Sequence, residues 1–370
     1  MSGGITQLVA TGVQDAYLSG TPEVSFFRSS YKRYTHFAST VERQLIQGTP
    51  SAGSTSLIRF EKKGDLLSHV YFTSLKPGNN SNVAQRWDQV IDKIELLIGG
   101  QIIDTHDYPY MANIEPVVNA QTFSTRKVAS SGRSNFFPLK FFFCKDWQSV
   151  LPLVALQYHD VELRITWGSA ADAINDTIAV WTRFIYLDKD ERDYFANKSH
   201  DMLITQVNRS VITAVNNYEF ALSQPVKYIA FESNCYSAYS AEPDLSALQF
   251  KVQINGNDIG ETRSLDHWVD VNQYYLTPFG YKPYFGTDST GANAGTSNVA
   301  IIPFCLDTSK LQPTGTINFS RIDTFRLIAP VSSNFKVISK NGAAANQYFY
   351  AVNYNILRIQ NGMAGILYAS

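Results

Sequence analysis

The sequence predicts an all-β protein with one antiparallel β-sandwich in each half of the chain. Hydrophobic residues make up 44% and charged residues 17%, and Tyr (21) and Phe (23) are abundant, a composition that favours strands. Short runs alternate apolar and polar residues, whereas helical periodicity is nearly absent. The 370 residues exceed the usual size of one domain, so we expect two. Regularly spaced short strands in both halves favour jelly rolls.

Strands with alternating burial are predicted at three places: residues 161–167 (VELRITW), 94–98 (IELLI) and 248–254 (LQFKVQI). In each run the apolar side chains recur at every second position, which is typical of a strand with one face in a core. Breaker-rich stretches that start at Gly48, Lys76 and Gly286 are predicted as surface loops, because their Gly, Pro, Ser and Asn residues suit turns and bury little.

Two tight hairpins are predicted at Gly99-Gly100 and at Asn255-Gly256, because both pairs tolerate the positive φ of the primed turns. Their surroundings are similar. IELLIGGQII from Ile94 and FKVQINGNDI from Phe250 share a strand, a turn and an apolar return, with an offset of 250 minus 94, or 156.

A second internal match supports a repeat. FCKD from Phe143 recurs as FCLD from Phe304, an offset of 304 minus 143, or 161, and each is followed by a strand. Two similar offsets favour duplication of one ancestral unit. The alternative is that β-sandwiches in general share such patterns.

The segment Leu187–Ile204 (LDKDERDYFANKSHDMLI) is predicted to separate the two units. Its run of charges from Asp188 to Asp193 interrupts the β alternation and suits a solvated helical turn or linker.

Bulk properties exclude several functional classes. A formal net charge of −1 gives no general attraction to nucleic acid or to an anionic membrane. The three cysteines, Cys144, Cys235 and Cys305, form no C-x-x-C pair, so we expect neither a disulfide framework nor a zinc site. A reducing compartment fits this cysteine usage best. The first twenty residues lack the features of a secretory signal, and no apolar run has membrane-spanning length, so we expect a soluble cytosolic protein.

Motifs for catalysis are missing. H-E-x-x-H, G-x-S-x-G and G-x-G-x-x-G do not occur, and GTPSAGS carries Ser54 where a phosphate-binding loop needs lysine. The cluster Asp104-Thr105-His106-Asp107 has donors for a divalent ion, but we favour a hydrated hairpin end. Asp160 and Glu162 resemble a glycosidase pair, but we favour a solvated strand face. We therefore predict no catalytic, cofactor-binding or metal-binding residue.

The stretch Phe26–Phe37 (FFRSSYKRYTHF) mixes aromatic and basic residues. Such a mixture can bind single-stranded nucleic acid by stacking and charge. Because the charge is sparse, we favour a protein contact or the entry to the first strand.

The chain as a whole resembles the major capsid proteins of the large nucleocytoplasmic DNA viruses, such as iridoviruses, chloroviruses and marseilleviruses. Near the N-terminus, GVQDAYLSGTP from Gly12 is similar to the family's opening motif, followed by FFR at Phe26 and YKR at Tyr31. Further similar segments are LPLVALQYHDVELRI from Leu151, the linker from Leu187, QPTGTINFSRID from Gln312, and AVNYNILRIQNGMAGILYAS from Ala351. The resemblance covers nearly the whole chain.

This resemblance implies two tandem eight-stranded antiparallel jelly rolls. The expected division is an N-terminal arm (1–25), a first jelly roll (26–190), a linker (191–204) and a second jelly roll (205–370). It also implies homotrimers of pseudo-hexagonal outline that tile an icosahedral shell over an internal membrane, assembled in the host cytoplasm. Expected partners are other copies, minor capsid and penton proteins and, for the arm, inner membrane proteins, with no direct nucleic acid contact and no cofactor.

Two other functions stay open at this point. A jelly-roll protein that binds carbohydrate or attaches to a host would need aromatic and acidic residues in its loops, whereas these loops are rich in Gly, Ser and Asn. An enzyme would depend on Asp160 and Glu162. We favour the shell protein, whose large apolar interfaces would use the many aromatic residues.

Overall fold

The computed structural model describes residues 13–74, 87–119, 136–169, 171–174, 178–212, 217–233, 249–277, 298–330 and 347–368. The chain divides into two compact units, residues 1–36 and residues 37–370. In the first unit, helix α1 (Val13–Ser19) precedes an irregular segment with exposed aromatic side chains, among them Phe26, Phe27 and Tyr31.

The first half of the larger unit, here called the first roll, is built from short strands with few helical turns. Its strands are β1 (Phe37–Gln44), β2 (Thr55–Arg59), β3 (Leu66–Ser74), β4 (Ile91–Ile98), β5 (Gln101–Asp107), β6 (Phe136–Pro138), β7 (Leu151–Pro152), β8 (Val161–Trp167) and β9 (Ile178–Leu187). Its helical pieces are α2 (Trp87–Val90), a π turn (Tyr110–Ile114) that continues into α3 (Glu115–Val118), and 3-10 turns at Phe142–Cys144, Trp147–Ser149, Leu153–Ala155 and Ala171–Ile174.

The second half, here called the second roll, follows helix α4 (Lys189–Asn197). Its strands are β10 (His200–Ile212), β11 (Asn217–Phe220), β12 (Pro225–Ser233), β13 (Gln249–Ile254), β14 (Asn257–Ser264), β15 (Asn298–Pro303), β16 (Ile317–Asn318), β17 (Phe325–Ile328), β18 (Gln347–Gln360) and β19 (Met363–Ile366). A π turn (His267–Val271) leads into α5 (Asn272–Leu276), and a 3-10 turn spans Phe319–Arg321. No helix among the described residues has both the length and the apolar character to cross a membrane.

Both rolls have the same strand order. The first contains the sheets β1-β9-β3-β6 and β2-β8-β4-β5, and the second contains β10-β18-β12-β15 and β11-β17-β13-β14. Adding nine to each strand number of the first roll gives the second, and even the short strands β7 and β16 pair with the equivalent strands β3 and β12. The internal match in the sequence therefore corresponds to a repeat of the whole topology.

Each roll is a sandwich, because side chains from its two sheets meet in one core. In the first roll the rings of Phe72 on β3 and Trp167 on β8 lie edge to face, with centroids 6.4 Å apart. In the second roll Phe220 on β11 and Phe349 on β18 are 4.9 Å apart. Aromatic pairs of this geometry add to the stabilisation from burial, which accounts for part of the high aromatic content.

The two predicted hairpins are confirmed. Ile98 pairs with Gln101 across Gly99 and Gly100, whose φ values are +58° and +82°. Ile254 pairs with Asn257 in the same way across a turn whose first residue has φ +47°. The positive φ values explain why these turns need Gly or Asn.

Alternating burial is confirmed for β8, in which every second residue from Val161 is buried. Strand β4 differs from the prediction, because Glu95 and Leu97 on its other face are also buried. The Glu95 carboxylate lies between Lys93 Nζ at 2.8 Å and Arg164 Nη1 at 3.4 Å, and these two neighbours cover it.

The segment between the rolls forms a solvent-facing helix, since α4 buries none of its residues. The Asp188 side chain caps its N-terminus by accepting a hydrogen bond from Lys189 N at 2.7 Å. Arg192 binds Asp65 of the first roll at 2.9 Å. Of the predicted loops, the one from Gly48 connects β1 to β2, whereas those from Lys76 and Gly286 lie almost wholly outside the described residues.

Candidate functional site: the seam between the two rolls

The two rolls share a large contact, here called the seam. It is formed by β5 and the segment Tyr110–Val118 of the first roll and by β10, β12 and β18 of the second. The main hydrophobic core is continuous across it, since Val117 and Val118 of the first roll belong to the same cluster as Tyr228 and Val352 of the second. A continuous apolar core favours a fixed arrangement of the rolls over independent motion.

Strand β10 reaches the edge of β5 through side chains and backbone. Asp104 Oδ1 accepts a hydrogen bond from the backbone nitrogen of Val207 at 3.0 Å, and the Gln206 amide donates to the carbonyl of Ile103. These contacts satisfy groups on two strand edges that would otherwise be open to pairing with another chain.

Asp107 joins both rolls at the centre of the seam. Its Oδ2 accepts hydrogen bonds from the hydroxyl of Tyr350 at 2.9 Å and from Arg209 at 3.1 Å, while its Oδ1 accepts from Tyr110 N at 3.2 Å. Asp107 and Tyr350 are buried, so the cost of removing them from water is offset by these bonds. Burial and the nearby Asp107 charge raise the pKa of Tyr350 well above its usual value, which keeps the hydroxyl as a donor.

Asp104 and His106, which the sequence presented as metal-ligand candidates, lie inside the seam. His106 Nε2 is 2.8 Å from Asp104 Oδ2, and the imidazole stacks on Phe141 with centroids 4.5 Å apart. Within the described ranges no group of three possible ligands surrounds a metal position. The interpretation as a hydrated hairpin end is wrong, because β10 covers Asp104 while the rings of Phe141 and Tyr110 pack on His106.

A second buried polar group lies at the start of α3. Glu115 is fully buried, with Lys140 Nζ at 3.4 Å and the Asn119 amide at 2.8 Å. Tyr110 forms a hydrogen bond with Tyr228 of the second roll, and burial raises the pKa of both phenols above the usual value. The two tyrosines therefore stay neutral and act as structural hydrogen-bonding groups.

Lys227 of β12 is a buried cation at the rim of the seam. Its Nζ donates to the carbonyls of Thr308 at 2.6 Å and Lys310 at 3.3 Å, beside a cavity of about 320 Å³. Burial, together with the nearby Lys145, lowers the pKa of Lys227 to about 8. The Thr308 hydroxyl in turn donates to the carbonyl of Val118 at 2.7 Å, which ties this loop to the first roll.

Another contact joins the rolls near the C-terminus. Tyr158 N donates to the carbonyl of Gly362 at 3.0 Å, and His159 Nδ1 lies 3.1 Å from both the nitrogen and the oxygen of Ala364. A Cβ at Gly362 would lie 2.7 Å from the Tyr158 ring, and the φ of +78° at this residue also favours glycine.

The remaining candidates occupy structural positions. Asp160 binds Arg59, with Lys62 at 3.5 Å, and Glu162 lies opposite Arg59 on the neighbouring strand. The Ser54 hydroxyl accepts from Ser51 N at 3.1 Å and so closes its own loop. The basic and aromatic stretch before Phe37 belongs to the N-terminal unit, and its role as a protein contact stays a prediction.

Comparison with known proteins identifies the family. Residues 25–193 match the family described as "Major capsid protein N-terminus", and residues 191–365 match "Large eukaryotic DNA virus major capsid protein". The major capsid protein of Paramecium bursaria Chlorella virus 1 is 30% identical, over 100% of both chains. The chain belongs to the large eukaryotic DNA virus major capsid protein family.

Other capsid proteins agree with this assignment. The major capsid protein of Pyramimonas orientalis virus is 29% identical over 100% of both chains. The quasi-atomic PBCV-1 virus capsid structure superimposes with a TM-score of 0.70 at 27% identity, covering 94% of this chain and 100% of that chain. PBCV-1 VP54 superimposes with a TM-score of 0.72 over the same shares at 24% identity. The predicted double jelly roll is thus confirmed, and the chain is a structural capsid protein.

Proposed function

We propose that this capsid protein works as a homotrimeric capsomer of pseudo-hexagonal outline, which tiles an icosahedral shell over an internal membrane. The observation that carries the proposal is the seam, which fixes two rolls of identical strand order into one subunit. Three such subunits present six similar rolls, and a closed ring of threefold symmetry leaves no open-ended contact within the capsomer.

We further propose the division into an arm (1–25), a first jelly roll (26–190), a linker (191–204) and a second jelly roll (205–370), in which the linker contains most of α4 and the first residues of β10. The change between the two family matches at residues 191–193, within α4, supports the linker. In this proposal the arm faces inward, near minor capsid, penton and inner membrane proteins, and assembly takes place in the host cytoplasm. Tyr17 and Leu18 of the arm are 90% and 91% exposed, which suits such protein contacts.

We propose no enzymatic role, because the carboxylates that could serve catalysis are engaged in structural contacts. Asp160 is held by Arg59 and Lys62, and Asp107 is held by Arg209 and Tyr350. These ion pairs and hydrogen bonds give both carboxylates structural partners.

The test is the oligomeric state of the purified chain. Sedimentation velocity is expected to give a species of three chain masses, and negative-stain images are expected to show hexagonal particles. A chain that sediments as a monomer at tens of micromolar would contradict the proposal.

A further inference from the structure

Equivalent elements of the two rolls differ sharply in exposure. The π turn and helix at Tyr110–Val118 have their counterpart in His267–Leu276, because both follow the same hairpin. Val117 and Val118 are fully buried in the seam. The residues at the same positions of the second segment, Tyr274 and Tyr275, are 73% and 74% exposed.

The hairpin strands before these segments show the same difference. In β5, Asp104 and Asp107 are buried because β10 covers that edge. In its counterpart β14, every residue except the last is exposed, including Ile259 at 52%. An exposed edge strand beside exposed aromatic residues is a template for contact with another chain.

The complementary surface is also present, on the first roll. The seam is covered by the outer face of β10 and β18, where Val207 pairs with Val352. The equivalent strands are β1 and β9, where Val41 pairs with Arg183. Val41 is 40% exposed, whereas Val207 is 9% exposed.

A third pair follows the repeated FCKD and FCLD motifs. Thr308, directly after the second motif, is 2% exposed and bonds to the carbonyl of Val118. Trp147, directly after the first motif, is 80% exposed. In the first roll, Trp147 thus occupies the position from which Thr308 contacts the seam in the second roll.

We propose that Tyr274, Tyr275 and the edge strand β14 of one copy dock on the first roll of a second copy, against Trp147 and the outer face of β1 and β9. This contact would reproduce, between two chains, the arrangement that the seam has within one chain. The inference rests on the proposed homotrimer. It is heterologous, since a surface of the second roll meets a different surface of the first roll, and it closes into a ring after three chains. Exposed Tyr and Trp side chains are the residues that most often anchor such interfaces.

The first experiment changes both tyrosines. The double variant Tyr274→Glu/Tyr275→Glu would bury two charges at the proposed contact. We expect the dissociation constant of the trimer, measured by sedimentation velocity, to rise at least about 100-fold. Tyr274→Phe/Tyr275→Phe keeps the apolar area and is the matched control, for which we expect a trimer. Because both side chains are exposed, the Glu variant should keep the wild-type circular dichroism and a cooperative urea transition.

The second experiment locates the partner surface. A benzophenone photo-crosslinker in place of Tyr275 is expected to form chain dimers, with the adduct in the first roll near Trp147 or on β1 and β9. An adduct confined to the second roll, or a Glu variant that stays trimeric, would overturn this inference while leaving the homotrimer intact. A wild-type chain that is monomeric would instead overturn the proposed function itself.

Discussion

Asp107 is expected to contribute more to stability than any exposed carboxylate of the chain, because its replacement leaves buried partners unsatisfied. Asp107→Ala removes the acceptor of the buried Tyr350 hydroxyl, at about 1–3 kcal/mol for an orphaned buried group. It also removes the acceptor of Tyr110 N at the start of the π turn, at about 0.5–2 kcal/mol by analogy with helix caps. Arg209 is 44% exposed and can turn to water, so it adds little. The sum is about 3 kcal/mol.

Urea titrations at equal protein concentration measure this loss, and a double-mutant cycle assigns it. Tyr350→Phe removes the hydroxyl that Asp107→Ala would leave without an acceptor. The combined variant is therefore expected to lose about 1–2 kcal/mol less unfolding free energy than the sum of the two single variants. Asp201→Ala is the control, since the Asp201 pair with Arg358 at 2.8 Å is exposed, and its transition should not move. A loss below about 1 kcal/mol for Asp107→Ala, or additivity in the cycle, would refute the reasoning.

Three further predictions follow from the seam and its surroundings. Lys227 has a pKa of about 8 in the folded chain and an ordinary higher value when unfolded, so its burial destabilises the fold below pH 8 and this effect fades as pH rises towards 10.5. The difference in unfolding free energy between wild type and Lys227→Met should therefore change by about 2 kcal/mol in favour of wild type when the pH rises from 7 to 9.5. A difference that does not change with pH would contradict the burial of a charge. Gly362→Ala should destabilise by about 1–2 kcal/mol more than Gly100→Ala, because both have φ near +80° but only Gly362 faces a ring, that of Tyr158 at 2.7 Å. Equal losses in urea titrations would exclude the clash. Burial raises the pKa of the Cys144 thiol to about 12, so in a Cys235→Ser background iodoacetamide should modify native Cys144 at pH 8 on the order of 1,000-fold more slowly than in urea. The modification rate of Cys144 is measured by mass spectrometry. A rate in the native protein close to that in urea would show an accessible thiolate and contradict the prediction.

Much of the fold could be predicted because it is encoded locally. The alternation in β8 and the glycine turns at Gly99-Gly100 and Asn255-Gly256 depend on neighbouring residues, and both predictions are confirmed. The double jelly roll itself required the resemblance along the whole chain, because strand alternation alone fits many sandwiches.

The seam could not be predicted, because its contacts join residues about 100 or more positions apart. Asp104 and His106 looked like a solvated hairpin end, since nothing nearby in the sequence shows that β10 covers Asp104 or that Phe141 stacks on His106. The one available signal was the polar run DTHD in an otherwise apolar hairpin. Buried Tyr228 carried no local signal, since its partner Tyr110 lies 118 positions earlier in the chain.

The seam and the proposed contact between chains use side chains of different size at equivalent positions, because one forms within a chain and the other between separate molecules. The seam joins two rolls of one chain, which a short connection holds at a high effective concentration, so the small side chains Val117 and Val118 are sufficient. A contact between chains must also offset the lost freedom of a separate molecule, which favours residues that bury more area each. Tyr and Trp bury about 150–250 Å² apiece, and they stand at the equivalent positions Tyr274, Tyr275 and Trp147.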